Sequence, residues 1–468
     1  MSDKTVNCRN HNENPCNMCM PMGAILPFKG IEKSMVIIHG SQGCSTYMRR
    51  HIAEHFNEPI DVASSSLNEK GTIYGGEKNL KQGLDNLIKA YNPNVIGVLT
   101  TCLAETIGED IQRVVAEYRL ERNLDGSCPI ITVPTPGYGG TQFEGYWQAI
   151  KNIVAKLARR VADHSRINVI VPHLSPADLR EIKRIMDLMG VSYILLPDFS
   201  DTLDRPFERP YKKVPEGGTR LADIEAMGGS LATIQMGVTV DESLSPGKYL
   251  EKSFGIPLYN IPVPMGIENT DLFISILRQI TGNPVPDALA LERGRLLDCM
   301  IDSHKYNFQG RSVIFGEPEL VHSIAVTCME NGVFPVVLAT GSKTARLTEL
   351  LGERLGGQHV KCLIMSETDF INIREQSVKM KANIAIGHSD GRYLTEREGI
   401  PLVRTGFPIH DRVGGQRILS VGYAGTTMFL DRVTNTLLEN KYRNYRSSMY
   451  RKFYRGSETK PVLYGKSR

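Results

Sequence analysis

The chain has 468 residues, 41% of them apolar, and a formal net charge of +4. It is too long for one core, which sets an expectation of about three domains, and too weakly charged for nucleic-acid binding to be its main business. With no apolar run of about twenty residues and a polar, cysteine-bearing start, it reads as cytoplasmic, without a membrane span or secretory leader.

Residues 1–20 read as an irregular arm carrying Cys8, His11, Cys16 and Cys19. A Cys-x-x-Cys pair binds zinc, binds an iron–sulfur cluster or works as a redox dithiol. Cys8, His11 and Cys16, with Cys19, are therefore a candidate accessory metal site. The following MPMGAILPFKGI reads as a buried approach to a strand at 34–38. That strand runs into HGSQGC, where Gly40 and Gly43 bracket a tight turn and Cys44 falls at the expected start of a helix. Glycines let a bulky group approach the backbone. The amide end of a helix favours an anionic ligand such as a thiolate or a sulfide-rich cluster. A buried structural cysteine in an ordinary strand–loop–helix unit is the plain alternative. Cys44 as a nucleophile, with His39 or His51 as base, lacks an identifiable third group.

Residues 61–67 read as a second strand. Gly75 and Gly76 then turn into a helix whose Leu80, Leu84, Leu87 and Ile88 keep helical spacing. Residues 95–101 read as a buried strand with Cys102 just past its carboxyl end. A helix over 104–119 follows, with Glu105, Glu109 and Asp110 early in it, where acidic residues are favoured. Ligands of open α/β sheets bind outside the carboxyl ends of strands, so topology puts Cys44 and Cys102 on one rim. A strand at 129–133 ends in TPGYGGT, a close-approach loop without the phosphate-binding pattern. A helix over 142–162 carries the single Trp, Trp147.

A fresh βα series begins near 166, with a helix starting at Pro176 behind Ser175 as its cap and a strand at 191–197. Residues 200–220 read as a surface excursion, and 255–266 as a loop rim between further helices and short strands. A third series opens at 311, with strands at 334–339, 361–365 and 383–386 and a helix over 424–440. The basic tail, 441–468, reads as a solvated helix. Cys128, Cys299, Cys328 and Cys362 are expected to pack in cores. The expected fold is α/β: three Rossmann-like αβα domains with parallel-sheet cores and no GxGxxG dinucleotide fingerprint. The boundaries are 1–20 arm, 21–165, 166–300, 301–440 and 441–468 tail.

CMPMGA at 19–24, HGSQGC at 39–44, HFNEPIDVASSSLNEKGTIYGG at 55–76 and TTCLAETIGED at 100–110 give the chain a family likeness. TPGYGG, VPEGGT, PMGIENTD and GFPIHDR extend it over nearly the whole length. The sequence resembles the β-subunit side of nitrogenase component 1. The resemblance implies that Cys19, Cys44 and Cys102 are iron ligands of a P-cluster, an 8Fe–7S relay shared with an α-like subunit in an α2β2 heterotetramer. Gly43 and Gly137 would lie around it. Tyr74 matches an aromatic docking position for a transient, homodimeric iron protein that carries a 4Fe–4S cluster and ATP with Mg. The substrate-reducing metallocluster would belong to the α-like partner, so no catalytic residue is assigned in this chain.

Gly137 departs from the serine common at that position in molybdenum nitrogenase β-subunits, and Cys8 and Cys16 are additional to the usual set. These differences direct the substrate expectation to nitrogenase-like methylthio-alkane reductases, which reduce C–S bonds. Dinitrogen reduction and a cofactor-assembly scaffold are the alternatives. A zinc-stabilised structural protein is the reading outside the family.

Overall fold

The computed structural model describes residues 16–124, 128–356 and 361–454. Thirteen strands are present among them: β1 (Ser34–His39), β2 (Ala63–Ser64), β3 (Val95–Thr100), β4 (Ile130–Val133), β5 (Ile167–Ile170), β6 (Tyr193–Leu196), β7 (Ala232–Gln235), β8 (Leu258–Asn260), β9 (Arg311–Phe315), β10 (Phe334–Ala339), β11 (Leu363–Met365), β12 (Ile384–Gly387) and β13 (Leu402–Arg404). They form three sheets, ordered β2-β1-β3-β4, β6-β5-β7-β8 and β11-β10-β9-β12-β13. Every strand pairing in them is parallel. Strands buried on both faces explain the continuous apolar runs in the sequence: β1 and β3 are buried at every position. The architecture is the expected α/β fold with three parallel-sheet cores.

The helices that matter to the site are α1 (Met20–Lys29), α2 (Gln42–Phe56), α3 (Glu69–Tyr74), α4 (Glu77–Tyr91), α5 (Cys102–Thr106), α6 (Ile111–Glu121), α7 (Gln142–Leu157) and α8 (Pro176–Leu188). In α4, Leu80, Leu84 and Leu87 are the buried face, as their spacing predicts. Ser175 caps α8 in a reciprocal capping box with Asp178.

Several expectations are corrected. The segment from Met20 is buried, as expected of an approach to β1, but it is a helix. Residues 20–28 are all buried, so their apolar side chains show no 3.6-residue stripe, and Pro21 sits in the first turn, where proline is tolerated. The helix expected over 104–119 is two, broken at Gly108 with φ +77°. The second strand is two residues long, α7 stops at Leu157, and β8 lies within the expected 255–266 loop. The strand β13 and the short helix α3 have no counterpart among the expected elements.

Two helices run through expected boundaries: Asp287–Asn307 passes residue 300, and Gly422–Tyr454 carries the described part of the basic tail as one helix. Cys128 and Cys328 are buried, as expected of core cysteines, whereas Cys299 and Cys362 are half-buried. Cys8 and His11 lie outside the described residues.

Packing around the first sheet is close. α1 lies against α7, and a Cβ on Gly23 would stand 1.8 Å from the Gln142 carbonyl oxygen. Trp147 is fully buried in the largest core, which draws residues from all three sheets.

Candidate functional site

The register of β1 against β3 pairs His39 with Thr100 at the strand ends. The chain therefore leaves both strands on the same edge, and Gly40–Cys44 and Cys102 follow immediately. Thr101 donates its amide to the His39 carbonyl at 3.2 Å. A Cβ on Gly40 would stand 2.1 Å from Thr101 Oγ1, so only glycine fits that crossing. Cys44 is the third residue of α2, and Cys102 is the first of α5.

Cys19 reaches the same rim from another part of the chain. It precedes α1 and forms an isolated antiparallel bridge with Thr141, while the Gln142 amide donates to the Met18 carbonyl at 2.9 Å. This stitches the Cys19 segment to the glycine-rich loop after β4. From that loop the Gly137 amide donates to Cys102 Sγ at 3.1 Å. A Cβ at Gly137 would be 3.2 Å from Cys102 Sγ and 3.8 Å from Cys19 Cβ. Glycine thus leaves clear the space between those two cysteines. The loop itself is anchored by Thr100 and Thr135: the Thr135 amide donates to Thr100 Oγ1 at 2.8 Å, and Thr135 Oγ1 to the Thr100 carbonyl at 2.7 Å.

All three thiols are free. Cys102 is exposed, and Cys19 and Cys44 are half-buried. Burial raises the Cys19 thiol above its ordinary range, and negative charge on Cys44 and Cys102 adds to the rise. The three sulfurs therefore share one local field. Ser41 Oγ donates to Cys44 Sγ at 3.6 Å. Gly43 stands in the same turn with open space where a Cβ would be, its nearest neighbour Ser41 Oγ at 3.9 Å.

Among the described residues, no three His, Cys, Asp or Glu side chains are placed to close on one metal ion. Three soft donors on one rim, two of them flanking a glycine-cleared space and none closing with the others on a single ion, fit a larger iron–sulfur group better than a zinc ion. Bound iron would reverse the electrostatics by stabilising the thiolates.

The other candidates are dispersed. Cys16 is 3% exposed and packs into the core of the third sheet with Val313, Phe315 and Val336. Its Sγ lies 3.9 Å from His388 Nε2, and burial, then the Asp390 and Glu317 charges, push its thiol well up. The Cys-x-x-Cys pair is thus divided between two cores.

His39 and His51 do not serve Cys44. His39 Nδ1 faces Ser65 Oγ at 3.0 Å, its Nε2 lies 3.7 Å from Glu109, and His51 packs edge-on against Tyr47. The acidic residues of 105–110 hold the local fold: Glu105 accepts from Thr100 Oγ1 at 2.6 Å, and Asp110 caps α6.

Glu109 has a role that helical spacing did not reveal. It accepts the Gly76 amide while facing His39. It therefore fixes the glycine turn behind Tyr74, which is 85% exposed at the end of α3. The sequence signal was the Gly75-Gly76 pair, and its partner is 33 residues away.

The model of the nitrogenase component 1 type oxidoreductase family matches residues 19–438. The chain is 38% identical over 447 residues to the nitrogenase molybdenum-iron protein beta chain of Methanococcus maripaludis, covering 92% of this chain and 95% of that one. It is 32% identical over 437 residues to the nitrogenase vanadium-iron protein beta chain of Trichormus variabilis, covering 91% and 93%. A solved chain of nitrogenase Cp1 at pH 6.5 superposes with a TM-score of 0.88 at 31% identity, covering 100% of this chain and 98% of that one. The chain belongs to the nitrogenase component 1 type oxidoreductase family, on its β-chain side, and is one subunit of an oxidoreductase complex.

Proposed function

We propose that this subunit relays electrons: Cys19, Cys44 and Cys102 supply three thiolates to a P-cluster-like 8Fe–7S group completed by an α-like partner in an α2β2 heterotetramer. The observation that carries this reading is that Cys19 and Cys102 flank Gly137, while Cys44 follows β1 on the same sheet edge and its charge acts on the Cys19 thiol. An iron–sulfur cluster held there supplies reversible one-electron storage. The chain's own work is to bind and orient. The Gly137 amide donates to Cys102 Sγ, and the Thr100–Thr135 pair fixes the loop that carries Gly137. Glu109 holds the turn behind Tyr74, the proposed docking residue for the ATP-hydrolysing iron protein with its 4Fe–4S cluster. Substrate reduction belongs to a metallocluster in the α-like partner.

C–S bond reduction of small methylthio-alkanes is motivated by Gly137 and the additional arm cysteines. Dinitrogen reduction is supported at least equally by relatives named as nitrogenase beta chains. The test is anaerobic co-purification with the α-like partner, followed by iron and sulfide analysis and paired assays with the cognate iron protein and ATP. C19A, C44A and C102A are each expected to lose the interface cluster; its retention in all three variants overturns the relay reading. Dimethyl sulfide reduction without ammonia formation selects the C–S reading, and efficient ammonia formation without it selects dinitrogen. Metallocluster transfer to an apo-reductase without sustained turnover marks an assembly scaffold instead.

A further inference from the structure

Among the described residues, the strand β13 is the free edge of the third sheet, paired only with β12. Between it, the loop 409–418 and the helix Gly422–Tyr454 lies a pocket of about 370 Å3, away from the cysteine rim. Its polar lining is Arg404, Arg412, Arg432, Asn435, Thr436 and Glu439, and Leu402, Ile409 and Val413 give it an apolar wall.

The three arginines are not equivalent. Arg404 is neutralised by Asp411 in a two-pronged pair, with Nε at 2.9 Å and Nη2 at 2.5 Å. Arg432 is half-buried and has no carboxylate within ion-pair distance among the described residues. Its guanidinium makes only long bonds to neutral oxygens: 3.4 Å to Met428, 3.3 Å to Arg404, 3.5 Å to Leu419 and 3.4 Å to Ser420 Oγ. It feels the charge of Asp178, but that carboxylate already accepts the Ser420 and Val421 amides at 2.7 and 3.1 Å. Arg412 is exposed, donates to the Asp411 carbonyl at 2.6 Å and stands 3.9 Å from a carboxylate oxygen that Arg404 occupies.

Two guanidiniums with unspent charge therefore line one pocket. A guanidinium fork matches the geometry of a phosphate or carboxylate. Glu439 works against any anion there, so binding requires both cations, and two cations suit a dianion better than a monoanion. The volume and apolar wall exceed the needs of a bare inorganic ion and leave room for an organic body.

We infer that this pocket binds a small phosphate monoester, with Arg412 and Arg432 on the phosphate and the organic part against Leu402, Ile409 and Val413. The inference is independent of the cysteine site.

The test is calorimetric titration of the anaerobically purified complex with phenyl phosphate, inorganic phosphate and benzoate. Phenyl phosphate is expected to bind most tightly. R412A and R432K are each expected to weaken it roughly tenfold or more, the loss of one charge-assisted contact. If R432K lowers the yield of complex, the exposed R412A decides. Absence of phenyl phosphate binding overturns the site, and unchanged binding in R412A overturns its location. Inorganic phosphate binding equally well overturns the organic part of the ligand, and benzoate binding equally well overturns the phosphate.

Discussion

Gly137 is the residue at which chemistry and space meet most closely. Its amide already points at Cys102 Sγ, and its missing side chain clears the space beside Cys19. A serine there would bring a hydroxyl oxygen, a hard donor, among soft thiolates. If the proposed cluster is held there, G137S is expected to keep the iron content and to shift the midpoint potential of its most oxidised couple, read by redox titration with electron paramagnetic resonance. An unchanged potential would separate this residue from the cluster. A second residue-scale effect belongs to Glu317. Burial pushes its carboxyl up to about 8, the neighbouring Glu144 and Glu319 charges add to the rise, and Gln142 opposes it with a hydrogen bond. Between its ordinary 4.5 and about 8, the native chain keeps a proton that the unfolded chain has released. Its contribution to stability is therefore present at low pH and lost as pH rises through that window, by on the order of 5 kcal/mol. Thermal melts of E317Q and the parent complex check this: the variant gains relative stability from about pH 5 to about pH 8.5. Glu319 is itself pushed up to about 7, so the difference between the two proteins, not either curve alone, isolates Glu317.

At the scale of elements, the cysteine rim depends on how α1 meets α7. Cys19 directly precedes α1, and Thr141 directly precedes α7, so a shift between these helices moves the bridge that holds Cys19. Their approach is limited by Gly23 and Gly145, whose added Cβ atoms would meet backbone oxygens of Gln142 at 1.8 Å and Met20 at 2.0 Å. Backbone cannot swing aside as a side-chain end does, so G23A is expected to cost about 3 kcal/mol or more. It should also lower iron loading as Cys19 is displaced. G294A is the control. That glycine lies on the exposed face of the helix Asp287–Asn307 with nothing within 4 Å of an added Cβ. It is expected to stabilise by up to about 1 kcal/mol through helix propensity. Denaturation curves and iron analysis of both variants test the contrast.

At the scale of the whole molecule, the cysteine rim and the exposed Tyr74 both belong to the first of the three parallel sheets, on the connections that follow β1, β2, β3 and β4. Glu109 joins them locally, accepting the Gly76 amide on one side and facing His39 on the other. Tyr74 buries little in this chain, with 85% of its surface exposed, so its removal should leave the fold intact. Y74A is expected to lower iron-protein-driven turnover roughly tenfold, the loss of one exposed aromatic anchor, with iron content and melting temperature unchanged. Equal turnover would remove Tyr74 from the docking surface. No helix among the described residues is long and apolar enough to cross a membrane.

The sequence by itself determined the α/β class, the parallel strands and the rim shared by Cys44 and Cys102, because strand burial and βα alternation are local and periodic. Cap chemistry is local too, which is why Ser175 marked the start of α8. The motifs in their order carried the family. Tertiary structure alone decided that residues 20–29 form a helix, since a segment buried on every side shows no stripe. It also decided that Cys16 turns into the third sheet while Cys19 joins the rim, although two residues separate them in the chain. The β-bridge from Cys19 to Thr141 has no local sequence signal, and the Gly75-Gly76 pair marks a turn without naming Glu109 as its clamp. Both join segments far apart in the chain, and only the packing of α1 on α7 and the parallel register of β1 with β3 bring those segments together.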